Sequence, residues 1–187
     1  MAEKAEYFDY LKQRSKLGFF YRKYWLYPRL TRCLKGKALD IGCGIGDFLA
    51  CRPNTLGVDI NEKTVSWCQD LGYLVDLMEV DKLPYEEASF DSIMMDNVLE
   101  HIVDPKPILN EINRVLLSGG TLIVGVPGSL GYQRDPDHKV FYSKETLVNT
   151  LKNAGFVDEK VFAMPLDFDW LETRLTQYCI YGVFKKK

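Results

Sequence analysis

Short apolar runs alternate along the chain with segments whose apolar residues recur at helical spacing. Five runs predict strands, at residues 37–41, 55–60, 73–80, 92–95 and 121–128. Residues 105–117 and 143–155 carry apolar positions three and four apart, which predicts helices that cover a sheet. Two more strands, at 157–164 and 177–184, are expected to form an antiparallel pair. The alternation predicts an α/β fold, a doubly wound three-layer sandwich with a seven-stranded, mostly parallel sheet and an antiparallel last strand.

Three glycines follow the first predicted strand at every second position. Gly42, Gly44 and Gly46 lie in the segment ALDIGCGIGDFL, and Asp40 stands two residues before the first of them. Glycine allows a sharp turn and lets backbone N–H groups approach a ligand, and a helix predicted to open at Gly46 adds a positive end. Dinucleotide sites carry G-x-G-x-x-G, whereas the third glycine here comes one residue early. The turn indicates a nucleoside cofactor, with a structural turn or a nucleotide-phosphate site as alternatives.

Several spaced motifs between residues 37 and 156 resemble class I S-adenosylmethionine-dependent methyltransferases. The resemblance rests on the glycine turn, on TLGVDI at 55–60, on EVDKLPYEEASFDSIMM at 79–95 and on DNVLEH at 96–101. It implies a Rossmann-like fold and an enzyme that uses S-adenosyl-L-methionine and releases S-adenosyl-L-homocysteine. The Leu-Glu-His stretch after strand four, Leu99–His101, is common in the small-molecule branch of the family.

The resemblance also implies which residues bind the cofactor. Asp59 would accept from the ribose hydroxyls, with capping of the following helix as the alternative. Glu79 matches the adenine-binding acid, with Asp81 as second choice and an exposed loop carboxylate as the alternative for either. Asp96, Asn97 and Val98 would line the cofactor mouth, with Asn97 beside the methionine end. The implied cofactor-binding residues are Asp40, Gly42, Cys43, Gly44, Gly46, Asp59, Ile60, Glu79, Val80, Asp96 and Asn97.

The two histidines of the chain, His101 and His138, are the candidate catalytic residues. Either imidazole can accept a proton from an acceptor near neutral pH. The alternatives are that His101 packs beneath the next helix and that residues 135–138 form only a turn. No metal site is expected, because Asn97 stands where metal-binding relatives carry Glu, and Glu100 with His101 makes a poor ligand set without further acids.

An aromatic and basic segment precedes the first strand. Residues 17–34 contain six aromatic and four basic residues. We expect residues 1–36 to form a helical segment, broken at Pro28, that packs on the sheet edge and closes over the cofactor, and residues 37–187 to form the methyltransferase domain of one compact unit. The alternatives are contact with a lipid-linked or membrane-surface substrate and contact with a protein partner.

The acceptor is expected to be a small molecule. The loop 128–143 is predicted to lack regular structure, and its Asp135–Phe141 stretch, followed by Ser143-x-Glu145-x-Leu147, resembles methyltransferases of polysaccharide pathways, which favours sugar or lipid-linked glycan precursors. The chain has 24 basic and 26 acidic residues, so its overall charge shows no preference for nucleic acid. The alternatives are a non-catalytic S-adenosylmethionine-binding module and a nucleic-acid methyltransferase.

Cysteine usage and hydropathy predict a cytoplasmic protein. The cysteines show no C-x-x-C spacing and read as reduced thiols, at Cys33, Cys43, Cys51, Cys68 and Cys179. No run of 18 apolar residues is present, which argues against a membrane-spanning helix. The charged first 20 residues argue against a signal peptide. The sequence predicts no particular oligomeric state.

Overall fold

The computed structural model describes residues 15–187, so the first 14 residues of the expected N-terminal segment lie outside the described residues. Its centre is a seven-stranded sheet in the order β3-β2-β1-β4-β5-β7-β6. The strands are β1 Ala38–Ile41, β2 Thr55–Asp59, β3 Val75–Leu77, β4 Phe90–Asp96, β5 Leu116–Pro127, β6 Phe156–Met164 and β7 Cys179–Lys186. Strands β1 to β5 pair in parallel, and β7 runs antiparallel to both of its neighbours. The predicted α/β sheet with an antiparallel last strand is confirmed.

Six α-helices and three shorter helical turns connect the strands in the described part of the chain. The α-helices are α1 Lys16–Tyr21, α2 Tyr27–Thr31, α3 Glu62–Asp70, α4 Lys106–Val115, α5 Ser129–Arg134 and α6 Lys144–Asn153. A π-helical turn, Arg22–Leu26, joins α1 to α2, and 3-10 turns lie at Leu99–His101 and Asp169–Leu171. The side chain of Ser143 caps α6 by accepting from the backbone N–H of Thr146, as its place before an amphipathic segment predicts.

Two local predictions are wrong. No regular helix follows the glycine turn. Single helical turns form there, since Ala50 donates to the Gly46 carbonyl and Arg52 to the Phe48 carbonyl, each at 3.0 Å. These turns end because Pro53 disfavours helical backbone in the residue before it and Asn54 has φ +64°. The loop after β5, expected to be irregular, contains α5. Its Tyr132 N–H donates to the Gly128 carbonyl at 2.8 Å.

The two faces of the sheet are covered by different parts of the chain. Alternate residues of β4 point to opposite faces, so Ile93 and Met95 belong to one core cluster and Met94 to another. Helices α4 and α6 complete the first cluster. The second cluster joins α2 and the π-helical turn to β4, β5 and β7, through Leu26, Tyr27, Leu30, Leu34, Phe48, Met94, Ile123, Met164, Tyr181 and Val183.

The N-terminal segment therefore packs on a face of the sheet, whereas its sequence led us to expect the edge. Phe48, from the segment that follows the glycine turn, belongs to the same cluster and helps to cover this face. Pro28 lies in the first turn of α2, where the absent N–H is tolerated. No helix between residues 15 and 187 is long and apolar enough to cross a membrane. All five cysteines are free thiols.

Candidate functional site

The glycine turn is held in place by its own backbone hydrogen bonds. Gly42, Gly44 and Gly46 have φ values of +72°, +52° and +84°, which favour glycine. The N–H groups of Gly42 and Cys43 both donate to the Val58 carbonyl, at 2.9 and 3.0 Å. A Cβ on Gly42 would overlap the Val98 side chain. The turn thus lies against the end of β2, at the carboxyl edge of the sheet, where ligands of α/β folds bind.

Asp59, at the end of β2, is clamped by backbone donors. Its Oδ2 accepts from the Gly44 N–H and its Oδ1 from the Asn61 N–H, each at 2.9 Å. Asn61, rather than Asp59, caps α3, because its Oδ1 accepts from the Lys63 N–H at 3.0 Å. Each carboxylate oxygen has a second lone pair, so Asp59 keeps capacity to accept from a ribose diol.

The predicted adenine-side residues share one open pocket. Ile60, Glu79 and Val80 line it together with the second-choice acid Asp81. Ile60 and Val80 are large exposed apolar side chains in this pocket. Apolar side chains beside carboxylates suit a flat heterocycle that carries amino groups.

Several carboxylates converge where β1, β2 and β4 end. Asp40 is buried, and burial, followed by the nearby Asp96 and Asp59 carboxylates, raises its pKa. Asp96 accepts from the Tyr181 hydroxyl and from the Asn97 amide, each at 2.9 Å. Asn97 has φ +54° and is exposed. The concentration of negative charge favours a ligand with positive charge, and S-adenosylmethionine, with its sulfonium and amino group, meets that requirement.

The N-terminal segment reaches this site, a contribution that sequence reasoning assigned to no individual residue. Arg22 Nε donates to Asp47 Oδ2 at 3.0 Å and thereby ties the segment to the glycine turn. The buried Tyr21 hydroxyl has no hydrogen-bond partner among residues 15–187. Burial and then the nearby Cys179 and Asp96 raise the pKa of Tyr21. The only sequence signal for these contacts is the density of aromatic and basic residues.

Glu100, His101 and His138 form a cluster next to Asp96. Each of the three residues offers one ligand atom, and these atoms lie within 4.8 Å of one another. No pattern in the sequence relates His138 to Glu100, because the loop after β5 brings the two together. The sequence predicts no metal site, because Glu100 with His101 alone makes a poor ligand set. The structure supplies a third residue that can ligate.

The Glu100 side chain is fully buried without a hydrogen bond. Its exposed fraction is 0%, and neither carboxylate oxygen has a hydrogen-bond partner among the described residues. Burial raises the pKa of Glu100 to about 8, and the Asp96 and Asp135 carboxylates add to the rise. The backbone N–H of Glu100 lowers this pKa, although it makes no hydrogen bond of normal geometry to the side chain. The main chain here is well held, because the Glu100 carbonyl accepts from Lys139 and Val140 at 2.8 and 3.0 Å.

The two imidazoles are oriented by backbone carbonyls. His138 Nδ1 lies 2.8 Å from the Tyr132 carbonyl oxygen, and His101 Nδ1 lies 3.3 Å from that of Asp137. The rings are 4.8 Å apart between centroids, and Tyr132 stacks on His138 at 5.4 Å. Burial and the neighbouring His138 lower the pKa of His101. The candidate catalytic histidines thus lie side by side.

The strand order, the glycine turn after β1 and the acid at the end of β2 define an α/β protein that binds a nucleoside cofactor. Residues 39–124 match the methyltransferase domain family. An uncharacterized protein of Methanocaldococcus jannaschii is 31% identical over 137 residues, which cover 67% of each chain. A probable S-adenosylmethionine-dependent methyltransferase of Mycobacterium tuberculosis is 32% identical over 153 residues, 75% of this chain and 56% of that protein. The chain thus spans just over half of the mycobacterial relative.

A solved structure extends the similarity to most of the chain. The S-adenosylmethionine-dependent methyltransferase of Thermotoga maritima, described as a possible histamine N-methyltransferase, superposes with a TM-score of 0.70 at 23% identity. The match covers 90% of this chain and 93% of that one, and it shows a shared fold. The chain belongs to the class I S-adenosylmethionine-dependent methyltransferases, a family of enzymes whose methyl donor is S-adenosyl-L-methionine.

Proposed function

We propose that this chain transfers a methyl group from S-adenosylmethionine to a small-molecule acceptor, with sugar or lipid-linked glycan precursors favoured. The observation that carries the proposal is the position of Asp96, at the end of β4. Burial raises the pKa of Asp40, beside the glycine turn and Asp59, and of Glu100, beside the two histidines, and the nearby Asp96 carboxylate adds to both rises. The cofactor residues around Asp40 and the cluster around Glu100 therefore lie close to the same end of β4. Methyl transfer requires such proximity, because donor and acceptor must be bound side by side.

The cofactor residues proposed from the sequence fit these contacts. Asp59 would accept from the ribose hydroxyls while the backbone clamps it, and Ile60 and Val80 would contact the adenine in the pocket that Glu79 also lines. Asp40 and Asp96 would face the positively charged end. When bound, S-adenosylmethionine supplies an electrophilic methyl group on a sulfonium. The protein then has to orient the acceptor and exclude water.

The acceptor would lie between Asn97 and the histidines. Asn97 can both donate and accept. The Tyr132 ring beside His138, and the Phe141 ring beside Tyr132, offer the apolar surface that sugar rings and lipid stems contact. The roles of His138 and His101 as bases remain predictions. A hydroxyl acceptor gains from the loss of its proton, because an alkoxide attacks a sulfonium methyl more readily than an alcohol does.

A nucleic-acid acceptor is less well supported. Relatives named for a small-molecule acceptor and for a tRNA uridine both align with the chain, so similarity alone does not choose between them. The basic side chains near the site are largely neutralised, since Lys144 pairs with Asp167 at 2.9 Å and Lys139 with Asp137 at 2.8 Å. A phosphate backbone needs several available cations.

A lipid-linked acceptor is favoured by the outer surface of the N-terminal segment. Large apolar side chains stand exposed there, from Leu17, Phe19, Phe20, Tyr24 and Trp25. The ammonium group of Lys23 lies 5.6 Å from the Phe19 ring centroid. Exposed rings and cations of this kind sit well at a lipid interface. We place this activity in the cytoplasm, where free thiols persist.

Calorimetric titration with S-adenosylmethionine and S-adenosylhomocysteine, with NADH as control, tests the cofactor half of the proposal. We expect micromolar binding of both sulfur nucleosides and none of NADH. Asp59→Ala should abolish binding, whereas Asp70→Ala, an exposed acid at the end of α3, should not. If folded wild-type protein does not bind, the proposal fails.

Transfer of a labelled methyl group tests the acceptor half. The cofactor and the protein would be incubated with nucleotide sugars, with lipid-linked sugars in detergent and with bulk tRNA. Label in the sugar fractions supports the proposal. Label in tRNA alone overturns it, and tight cofactor binding without transfer to any fraction favours a non-catalytic binding module.

A further inference from the structure

We propose that Glu100, His101 and His138 bind a divalent first-row transition-metal ion. One ligand atom of each residue lies within 4.8 Å of those of the other two. Two of the residues come from the 3-10 turn after β4 and the third from the loop after β5, so two separate connections close around one point. A cation of ordinary size would need only small side-chain movements to contact all three.

The Glu100 carboxylate is the first independent sign of a missing positive partner. It is fully buried, and neither oxygen has a hydrogen bond from residues 15–187. Leaving a buried carboxyl group without a partner is costly, and native proteins nearly always satisfy such groups. The adjacent backbone is fixed by two hydrogen bonds to the Glu100 carbonyl, so the side chain does not simply turn outward with a mobile loop.

The orientation of His138 is the second sign. A carbonyl oxygen only accepts, so the 2.8 Å contact with Tyr132 assigns the proton of neutral His138 to Nδ1. The lone pair on Nε2 then faces Glu100 Oε1 at 3.7 Å and Asp135 Oδ2 at 4.0 Å. These separations are too long for hydrogen bonds but short enough for the atoms to share one ion.

This arrangement is the usual one for a metal-binding histidine. The ring nitrogen that does not ligate donates to a carbonyl, which fixes the tautomer and the ring orientation. His101 has the same arrangement, with Nδ1 3.3 Å from the Asp137 carbonyl oxygen. Asp137 Oδ2 also lies 3.5 Å from that nitrogen. Both imidazoles are thereby left with Nε2 as the ligating atom.

The donor set indicates the class of ion. One carboxylate oxygen with two imidazole nitrogens suits Mn²⁺, Fe²⁺, Co²⁺ or Zn²⁺ better than Mg²⁺ or Ca²⁺, which prefer oxygen ligands throughout. Three protein ligands leave further coordination positions open, as in catalytic rather than structural sites. An acceptor hydroxyl or phosphate oxygen would fill such a position, and the bound ion, in place of an imidazole base, would then promote loss of the hydroxyl proton. This use of the ion rests on the proposed methyl transfer, whereas ion binding itself does not.

Binding of Co²⁺ and Mn²⁺ to protein stripped with EDTA tests the site. Co²⁺ would be followed by visible absorption and by calorimetry, and Mn²⁺ by loss of the free-ion paramagnetic resonance signal, with Mg²⁺ for comparison. We expect one saturable site for one ion per chain and much weaker binding of Mg²⁺. His138→Gln and His101→Asn should each weaken binding at least about tenfold, as loss of a supporting or ligating group does in known sites.

Glu145→Gln is the matched control, because Glu145 is an exposed carboxylate in the first turn of α6 and should bind the ion like wild type. His101→Asn changes a partly exposed side chain, so it still tests the site if His138→Gln, which changes a buried side chain, does not fold. No saturable binding by the wild type, or unchanged affinity in both histidine variants, overturns the site. S-adenosylmethionine binding in the same samples separates the two proposals: cofactor bound without metal refutes only the metal site, and metal bound without cofactor refutes only the proposed function.

Discussion

The cofactor side of the site comprises the glycine turn and Asp59, and the histidine side comprises Glu100, His101 and His138. The two sides bury their carboxylates in opposite ways. Each oxygen of Asp59 accepts a backbone N–H, from Gly44 and from Asn61. Neither oxygen of Glu100 makes a hydrogen bond within residues 15–187, although its side chain is the more buried of the two. A buried carboxylate that the backbone solvates is stable, whereas one without donors raises the energy of the folded state.

The difference shows where this protein is organised before its ligands arrive. On the cofactor side, hydrogen bonds between the glycine turn and β2 fix the turn and the Asp59 carboxylate. On the histidine side, the main chain is fixed but the Glu100 carboxyl group has no hydrogen-bond partner among residues 15–187, and the proposed ion would complete its contacts. Sites that bind in this way commonly lower the stability of the free protein. The comparison leads to four predictions, ordered by the size of the expected effect.

The largest effect should come from Gly42→Ala. The substitution places a methyl group against Val98 and requires Ala to adopt φ +72°, so we expect the free energy of unfolding to fall by roughly 2–4 kcal/mol. Gly72→Ala separates the two causes, because Gly72 has φ +83° with open space around it and should cost only about 1 kcal/mol. Urea denaturation measures both. Equal losses would mean that the close approach to Val98 is unimportant.

Glu100→Leu should stabilise the protein, whereas Gly42→Ala should destabilise it. Replacing a buried, unbonded carboxylate by an apolar side chain should raise the free energy of unfolding of EDTA-treated protein by about 1–3 kcal/mol. Methyl transfer should fall at the same time. Glu145→Leu, on an exposed helix surface, provides the control and should leave stability within about 0.5 kcal/mol. Destabilisation by Glu100→Leu would show that the carboxylate has a partner in solution.

Arg22→Ala tests whether the N-terminal segment is part of the cofactor side. Loss of the half-buried bond to Asp47 should weaken S-adenosylmethionine binding by about fivefold, close to 1 kcal/mol. Calorimetry gives the value directly. Arg32→Ala, an exposed arginine after α2, is the comparison and should bind like wild type. Equal affinities would place the segment outside the cofactor site.

The smallest effect is expected from Lys144→Ala. Its pairs with Asp167 and Asp169 lie at the surface, where an ion pair contributes about 0–1 kcal/mol. Methyl transfer to small acceptors should not change. A large loss of activity with a nucleic-acid acceptor in this variant would instead assign Lys144 to phosphate binding. Labelled-methyl assays on both acceptor classes distinguish the two results.

Most of the sheet and of the cofactor side could be predicted from the sequence, because these depend on short-range patterns. The alternating elements predict a doubly wound, mostly parallel sheet but not its strand order, and the glycine turn and Asp59 lie on consecutive segments. Glu79 and Ile60 were placed by resemblance, and they line one pocket. Their roles toward the cofactor are still predictions.

The rest depends on contacts between distant segments. No local spacing relates His138 to Glu100, or Arg22 to Asp47, since each pair is joined by how the whole sheet folds. The segment after Gly46 forms single helical turns and no regular helix, because Pro53 and Asn54, with φ +64°, end it early. The place of the N-terminal segment on the sheet face depends on contacts with β4, β5 and β7, which a pattern within one window of sequence does not report.

The packing of the N-terminal segment on β7 also constrains the order in which the protein matures on the ribosome. Tyr27 belongs to the same core cluster as Tyr181 and Val183, which are synthesised about 150 residues later. The apolar surface of Tyr27 thus leaves the exit tunnel long before β7, a strand of the same core cluster, has been made. This part of the core closes late in folding, because its contacts join segments that are far apart in sequence.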